Sequence, residues 1–298
     1  SCHTKLKRNL PASAVLEFID ANQEALSNDP EITGDVPTSQ KDEFVHPRTR
    51  LVLSAIQNIQ QNNPQDSSLW CFDHHFGDTS LVYAITVNKT LKRVTIVFRG
   101  SSTRNDWSKN IQMTNSTLPT PVLLSEDPEF PSDDKNEIKV HGGFREYLLD
   151  DDLISNNQTQ TMTMDEMKSM NKERPGKYGQ ILEDLEEIYT YQDPTTGEFV
   201  HEGFHLYVSG HSLGGALSTL LAMKLACSWT VKNKITSIPE PIINISIASP
   251  YVGNQSFADA VKFLEQKNWL RHVRVTNQGD VVPVAPPKRL LYGAVYEP

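Results

Sequence analysis

The chain has 298 residues, 38% hydrophobic and 22% charged, with a net charge of -9 and a sequence pI near 5.5. That length supports one large domain with its own core. The acidic balance, with runs such as Asp150-Asp151-Asp152, argues against nucleic acid as a partner, because phosphate binding needs a basic face. No apolar tract approaches the roughly 18 residues that a membrane span requires.

Residues 1–45 are mixed polar sequence with a helical pattern over Ala12–Leu26, and they read as a partly ordered N-terminal arm. Residues 46–298 read as a single domain. Arg48–Gln60 sets Leu51, Ala55, Ile56 and Ile59 at helical spacing. Beyond it, Leu81–Ile85 and Val94–Phe98 are short, β-branched apolar runs, as in strands covered on both faces. His205–Ser209 and Ile242–Ala248 repeat the type, and Val273–Thr276 does so more weakly. Helical stretches at Tyr178–Gln192, Leu213–Trp229 and Gln255–Lys267 lie between and after them. This alternation predicts an α/β fold with a mainly parallel central sheet and helices on both faces. Two polar segments, near 117–137 and 150–176, read as surface insertions. The second carries Met162, Met164, Met167 and Met170, a cluster suited to loop filling or a flexible apolar surface.

Cys2, Cys71 and Cys227 are far apart and show no CxxC spacing, so no zinc site is expected and at least one thiol stays unpaired. Cys227 lies in an apolar helical stretch and reads as a small buried hydrophobe; a Cys2–Cys71 disulfide stays open. His74-His75 beside Asp73 has poor spacing for a metal site. Asn-x-Ser/Thr sequons occur at Asn88, Asn115, Asn157, Asn244 and Asn254, but Asn244 sits in an apparent buried strand, where glycosylation is unfavourable. The chain begins at Ser1 with no apolar leader, which suits either a removed targeting segment or an excised piece. The compartment stays open, with a secreted or lumenal site preferred to the cytoplasm, and the oligomeric state is not legible.

The segment that carries chemistry is Gly210-His211-Ser212-Leu213-Gly214-Gly215-Ala216, between a predicted strand and a predicted helix. This is the setting of a Gly-x-Ser-x-Gly nucleophile elbow. A strand turns sharply into a helix with Ser212 at the apex, and Gly210 and Gly214 remove the Cβ atoms that would block the turn. The Ser212 hydroxyl is expected to stand exposed above the sheet at a helix N-terminus, where the Leu213 N–H can donate to a developing oxyanion. His211 points away from that hydroxyl and is expected to pack or hydrogen-bond beneath the turn.

These seven residues resemble the elbow of the fungal-type, class 3 lipase family of α/β-hydrolases. Other stretches resemble the family in the same order. They are Thr95–Ser102 followed by Asn105, Trp107 and Asn110; Val140-His141-x-Gly143-Phe144; Pro250-x-Val252-Gly253-Asn254-x-x-Phe257; and Asn277-x-x-Asp280-x-Val282-Pro283 with Pro286-Pro287. The resemblance runs from about Leu81 to Pro287. It implies Ser212 as nucleophile, Asp280 as the acid that orients the base, and Ser101 as the second oxyanion donor beside Leu213. It also implies a lid over Thr103–Met113 whose Trp107 and Ile111 face the substrate. The implied activity is hydrolysis of glycerolipid esters at an interface, triacylglycerol first, without metal or organic cofactor. Galactolipids, phospholipids and feruloyl esters are the alternative substrates.

One component is missing. In this fold the order is Ser, acid, then His, and no histidine follows Asp280. Either the natural chain continues to its base beyond Pro298, or the base has been substituted and the protein is an inactive, hydrolase-like binding scaffold. His141 reads as a structural histidine near the site.

Overall fold

The computed structural model describes residues 6–10, 67–73, 83–100, 115–130, 137–149 and 177–285. The strands are β1 (Leu6–Leu10), β2 (Ser67–Asp73), β3 (Tyr83–Asn88), β4 (Arg93–Phe98), β5 (Asn115–Thr117), β6 (Lys139–His141), β7 (His205–His211), β8 (Ile242–Ile247) and β9 (Leu270–Val275). Seven of them form one sheet in the order β1-β2-β3-β4-β7-β8-β9, and β5 pairs with β6 in a second, two-stranded sheet. β1 to β4 form an antiparallel meander, whereas β4, β7, β8 and β9 run parallel. The parallel half therefore ends four strands at one edge, where ligand-facing residues of α/β sheets collect.

The helices are α1 (Val122–Ser125), α2 (Gly142–Leu149), α3 (Lys177–Tyr189), α4 (Leu213–Ala226), α5 (Trp229–Asn233) and α6 (Gln255–Gln266). α3 is amphipathic, burying Tyr178, Ile181, Leu182, Leu185 and Ile188, the spacing of one helical face. α4 is apolar all round and buried along nearly its whole length, as a central core helix must be. The units β7–α4–β8 and β8–α6–β9 join neighbouring parallel strands, and such crossovers are right-handed. Both helices thus lie on the same face of the sheet and touch each other, and α2 packs against α4 as well. The inward residues of β4, Val94, Ile96 and Phe98, are buried beneath this layer, while Val97 on the opposite face is 42% exposed. The predicted helices at 12–26 and 48–60 lie outside the described residues.

The boundaries differ from the sequence reading in a few places. The predicted helix Leu213–Trp229 is two helices, because Ser228 leaves the helical path and accepts the N–H of Val231 as the N-cap of α5. Part of the arm, Leu6–Leu10, joins the sheet edge by pairing with β2. Within the first polar segment Leu118 and Leu124 are buried in the core, so that segment is not wholly a surface loop. Cys227 is buried as expected, and burial pushes its thiol up to about 12. Cys71 is also buried, in β2; Cys2 lies outside the described residues.

Asn244 is the polar exception in the core. From β8 its Nδ2 donates to the Val208 carbonyl at 3.0 Å and to the Ser218 hydroxyl at 3.1 Å. Its Oδ1 lies 3.2 Å from the Thr219 hydroxyl. Ser218 and Thr219 in turn lie within 2.9 Å of the Gly215 carbonyl in the first turn of α4. The network ties β7, β8 and α4 together directly behind the elbow, and it closes the sequon at Asn244 to modification. Asn244→Leu removes these hydrogen bonds from a fully buried site and is expected to cost about 2 kcal/mol, read as a lower urea midpoint with an unchanged m-value.

Candidate active site

Ser212 sits between the end of β7 and the first residue of α4 with φ 56° and ψ -122°. Non-glycine residues rarely adopt this backbone, and it persists only where the surroundings over-determine it. Here the surroundings are backbone. The Ser212 N–H donates to the Ile247 carbonyl at 2.9 Å, and the Ser212 carbonyl accepts from the N–H groups of Gly215 and Ala216. A Cβ on Gly210 would stand 2.1 Å from the Gly214 carbonyl oxygen, and one on Gly214 would stand 2.5 Å from the Phe98 carbonyl oxygen. The two glycines allow β7, β4 and the start of α4 to approach that closely. Leu213 heads α4, so its N–H lies at the positive end of the helix dipole.

The hydroxyl was expected to stand open, but Ser212 is only 8% exposed. The cause is the chain leaving β4. A Cβ on Gly100 would be 3.6 Å from the Ser212 Cβ and 2.9 Å from the His211 carbonyl oxygen. The chain at Gly100 thus lies against Ser212. Ser101, Trp107, Ile111 and the rest of the expected lid lie outside the described residues. His211 corrects a second expectation. It is exposed, because side chains alternate along β7 and the residue after inward Gly210 must face the other side of the sheet.

The turns after β8 and β9 complete this edge. Ser249 passes beneath α4, its Cβ 3.0 Å from where a Gly215 Cβ would be. Asp280 follows β9 in a tight turn, its N–H donating to the Asn277 carbonyl and its Oδ1 accepting the Val282 N–H at 2.9 Å. A carboxylate with one oxygen fixed by backbone keeps the other free to orient a partner. Ser212, Gly100, Ser249 and Asp280 therefore share the carboxyl edge of the four parallel strands.

No described histidine bonds to Ser212 or Asp280. His205 begins β7, roughly 20 Å from Ser212 at about 3.3 Å per strand residue. The His201 Nδ1 lies 2.8 Å from the Ile188 carbonyl oxygen, and the His272 Nε2 lies 3.1 Å from the Ser246 hydroxyl. His141 is 3% exposed and stacks on Phe144 at 4.4 Å. Its Nδ1 has no hydrogen-bond partner among the described residues.

Burial holds His141, His201 and His272 below their ordinary 6.5. The unfolded chain takes up these protons first, so the stability the neutral rings contribute is complete above about 6.5 and drains away as pH falls through the folded values. The urea midpoint is expected to drop between pH 7.5 and pH 5. The drop should be shallower in His141→Gln, whose amide does not titrate.

Two residues escaped the sequence reading. Gly100 was read only as part of a motif, and the structure makes it the contact between the end of β4 and Ser212. Arg274 occupies the inward phase of β9 with Leu270 and His272, and a charge in that phase of a strand was the available signal.

A strand, a strained serine and a helix, with an acid at the same sheet edge, define the α/β-hydrolase class of architecture. Residues 95–290 match the family described as lipase (class 3), more than half of the chain, and the chain belongs to that family. Among curated relatives, Phospholipase A1-II 3 of Oryza sativa subsp. japonica is 34% identical over 89 residues, covering 30% of this chain and 20% of that protein. Putative lipase LIH1 of Saccharomyces cerevisiae is 26% identical over 212 residues, covering 68% and 53%. Galactolipase DONGLE, chloroplastic, of Arabidopsis thaliana is 27% identical over 213 residues, covering 68% and 36%. The chain thus spans between a fifth and about half of the length of these relatives. A solved triacylglycerol lipase from Penicillium expansum aligns with a TM-score of 0.48 at 18% identity, over 78% of this chain and 67% of that one.

Proposed function

We propose that the protein is a serine ester hydrolase that cleaves acyl esters of glycerolipids through an acyl-enzyme on Ser212. The observation that carries this reading is the strained Ser212 backbone at the head of α4, held by the close approach of Gly210 and Gly214. The Ser212 oxygen attacks the ester carbonyl and the alcohol departs with a proton. The N–H groups of Leu213 and Ser101 hold the tetrahedral oxyanion, and water then releases the acid. The Ser212 proton passes to the departing alcohol through a general base oriented by Asp280, a role that none of the described histidines is placed to fill, and Trp107 and Ile111 belong to a covering segment on the substrate side. Among the described residues no helix is long and apolar enough to cross a membrane, and the lipid is met at its surface.

The relatives' names include phospholipase, galactolipase and lipase, which supports glycerolipid esters as the substrate class. A panel of triacylglycerol, phosphatidylcholine and monogalactosyldiacylglycerol, each hydrolysed or not, separates the headgroups. The alternative reading is an acyl-binding scaffold without turnover. A fluorophosphonate probe applied to the full-length natural protein decides between them: covalent capture at Ser212 means an armed nucleophile, and none means the scaffold.

A further inference from the structure

We infer that Arg274 is a positioning residue of this site, stapling the loop that carries Asp280 to the turn that supports the Ser212 elbow. The inference rests on the hydrolase reading and adds to it a residue outside the nucleophile, oxyanion and acid positions.

Arg274 projects from β9 on the same face as Phe98, Gly210 and Ser246, to which it is linked row by row across the parallel strands. Its Nη2 donates to the Ser249 carbonyl at 2.9 Å and to the Pro283 carbonyl at 2.6 Å. The guanidinium also lies over the Tyr251 ring, 5.3 Å from its centroid. One cation therefore holds the turn after β8 and the turn after β9 in a single arrangement. The Tyr251 N–H, donated to the Ala285 carbonyl at 2.9 Å, adds a second tie between the same two segments.

Each end of the staple leads to a site residue. Ser249 follows Ala248, which stands at φ 49°, a strained conformation that needs outside restraint. The same Ser249 presses against Gly215 in the first turn of α4. At the other end Pro283 is next to Val282, whose N–H fixes one oxygen of Asp280. Among the described residues Arg274 pairs with no carboxylate; its donors go to main-chain carbonyls instead. A guanidinium taken partly out of water for two carbonyls and an aromatic face is costly unless that geometry is needed. Burial lowers the pKa of Arg274 accordingly.

The test is a kinetic cycle on the full chain with a soluble ester, using Arg274→Met, Asp280→Asn and the double variant. Displacing a catalytic group by about 1 Å costs on the order of 100-fold in rate. Arg274→Met is therefore expected to lower kcat about 100-fold while KM stays within a few-fold, because Arg274 touches no substrate. On the Asp280→Asn background it should cost nothing further, since the acid it positions is gone. Arg274→Lys should recover most of the loss, as both bonds come from one nitrogen that an ammonium can replace. A kcat loss that multiplies with that of Asp280→Asn, or wild-type kcat in Arg274→Met, overturns the inference. If the Met variant does not fold, Arg274→Gln, whose shorter neutral amide cannot span both carbonyls, decides: a kcat loss at unchanged KM supports the staple, and wild-type kcat removes it. Ser212→Ala measured alongside keeps the two readings apart. Turnover that survives it defeats the hydrolase reading, whereas turnover lost there but intact in Arg274→Met defeats only the staple.

Discussion

Ser212→Ala abolishes fluorophosphonate capture and ester hydrolysis while leaving the melting temperature nearly unchanged. Loss of the attacking oxygen removes the acyl-enzyme route altogether, and serine nucleophile deletions in complete triads cost about 10⁶ in kcat. The fold should not notice, because alanine keeps the Cβ and the Ser212 main-chain bonds to Ile247, Gly215 and Ala216 remain. Ser212→Gly makes the complementary case. It is equally inactive, but it relieves the positive φ of 56°, where strain is worth about 1–3 kcal/mol. The glycine variant should therefore melt higher than the alanine variant. Equal melting temperatures would mean that the elbow stores no strain, and surviving capture in Ser212→Ala would place the nucleophile elsewhere.

Gly210→Ala carries the largest expected effect on stability. The added methyl would lie 2.1 Å from the Gly214 carbonyl oxygen and 2.2 Å from its carbon. Both are main-chain atoms of the first turn of α4, so no rotamer change relieves the overlap. β7 and α4 must separate, which also disturbs the network around Asn244. A loss of about 4 kcal/mol is expected, a large share of the roughly 5–15 kcal/mol that holds a domain folded. Gly197→Ala is the control. Its φ is +74° but nothing lies within 4 Å, so it should cost only about 1 kcal/mol. Urea unfolding of the two variants separates crowding from backbone strain; equal losses would show that the close approach is not what the elbow requires.

The parallel half of the sheet was legible because buried strands are short, β-branched apolar runs, and Val94–Phe98, His205–Ser209 and Ile242–Ala248 are of that kind. Their ends were found to within a residue or two. The elbow was legible because its chemistry demands glycine at fixed offsets from one serine. Asp280 was legible only through the motif around it, since a turn aspartate alone is more often a cap. β1 was read as part of an arm, because edge pairing through main-chain hydrogen bonds leaves little trace in composition. The enclosure of Ser212 was not legible, since it depends on how near Gly100 comes to the elbow, a distance set across the sheet. Arg274 was passed over for the same reason: both of its acceptors are carbonyls, and a carbonyl carries no residue identity. Ser101, Trp107 and Ile111 lie outside the described residues, so the second oxyanion donor and the lid remain parts of the proposal.

The pairing of β4 with β7 has a consequence for how the site comes into being. Arg93 and His205 stand side by side although more than a hundred residues of chain separate them, and closing so long a loop is slow compared with forming a helix or a hairpin. Gly100 reaches the elbow only once that seam has zipped. Ser212 is therefore expected to acquire its Gly100 neighbour late in folding, when the two distant halves of the chain have met.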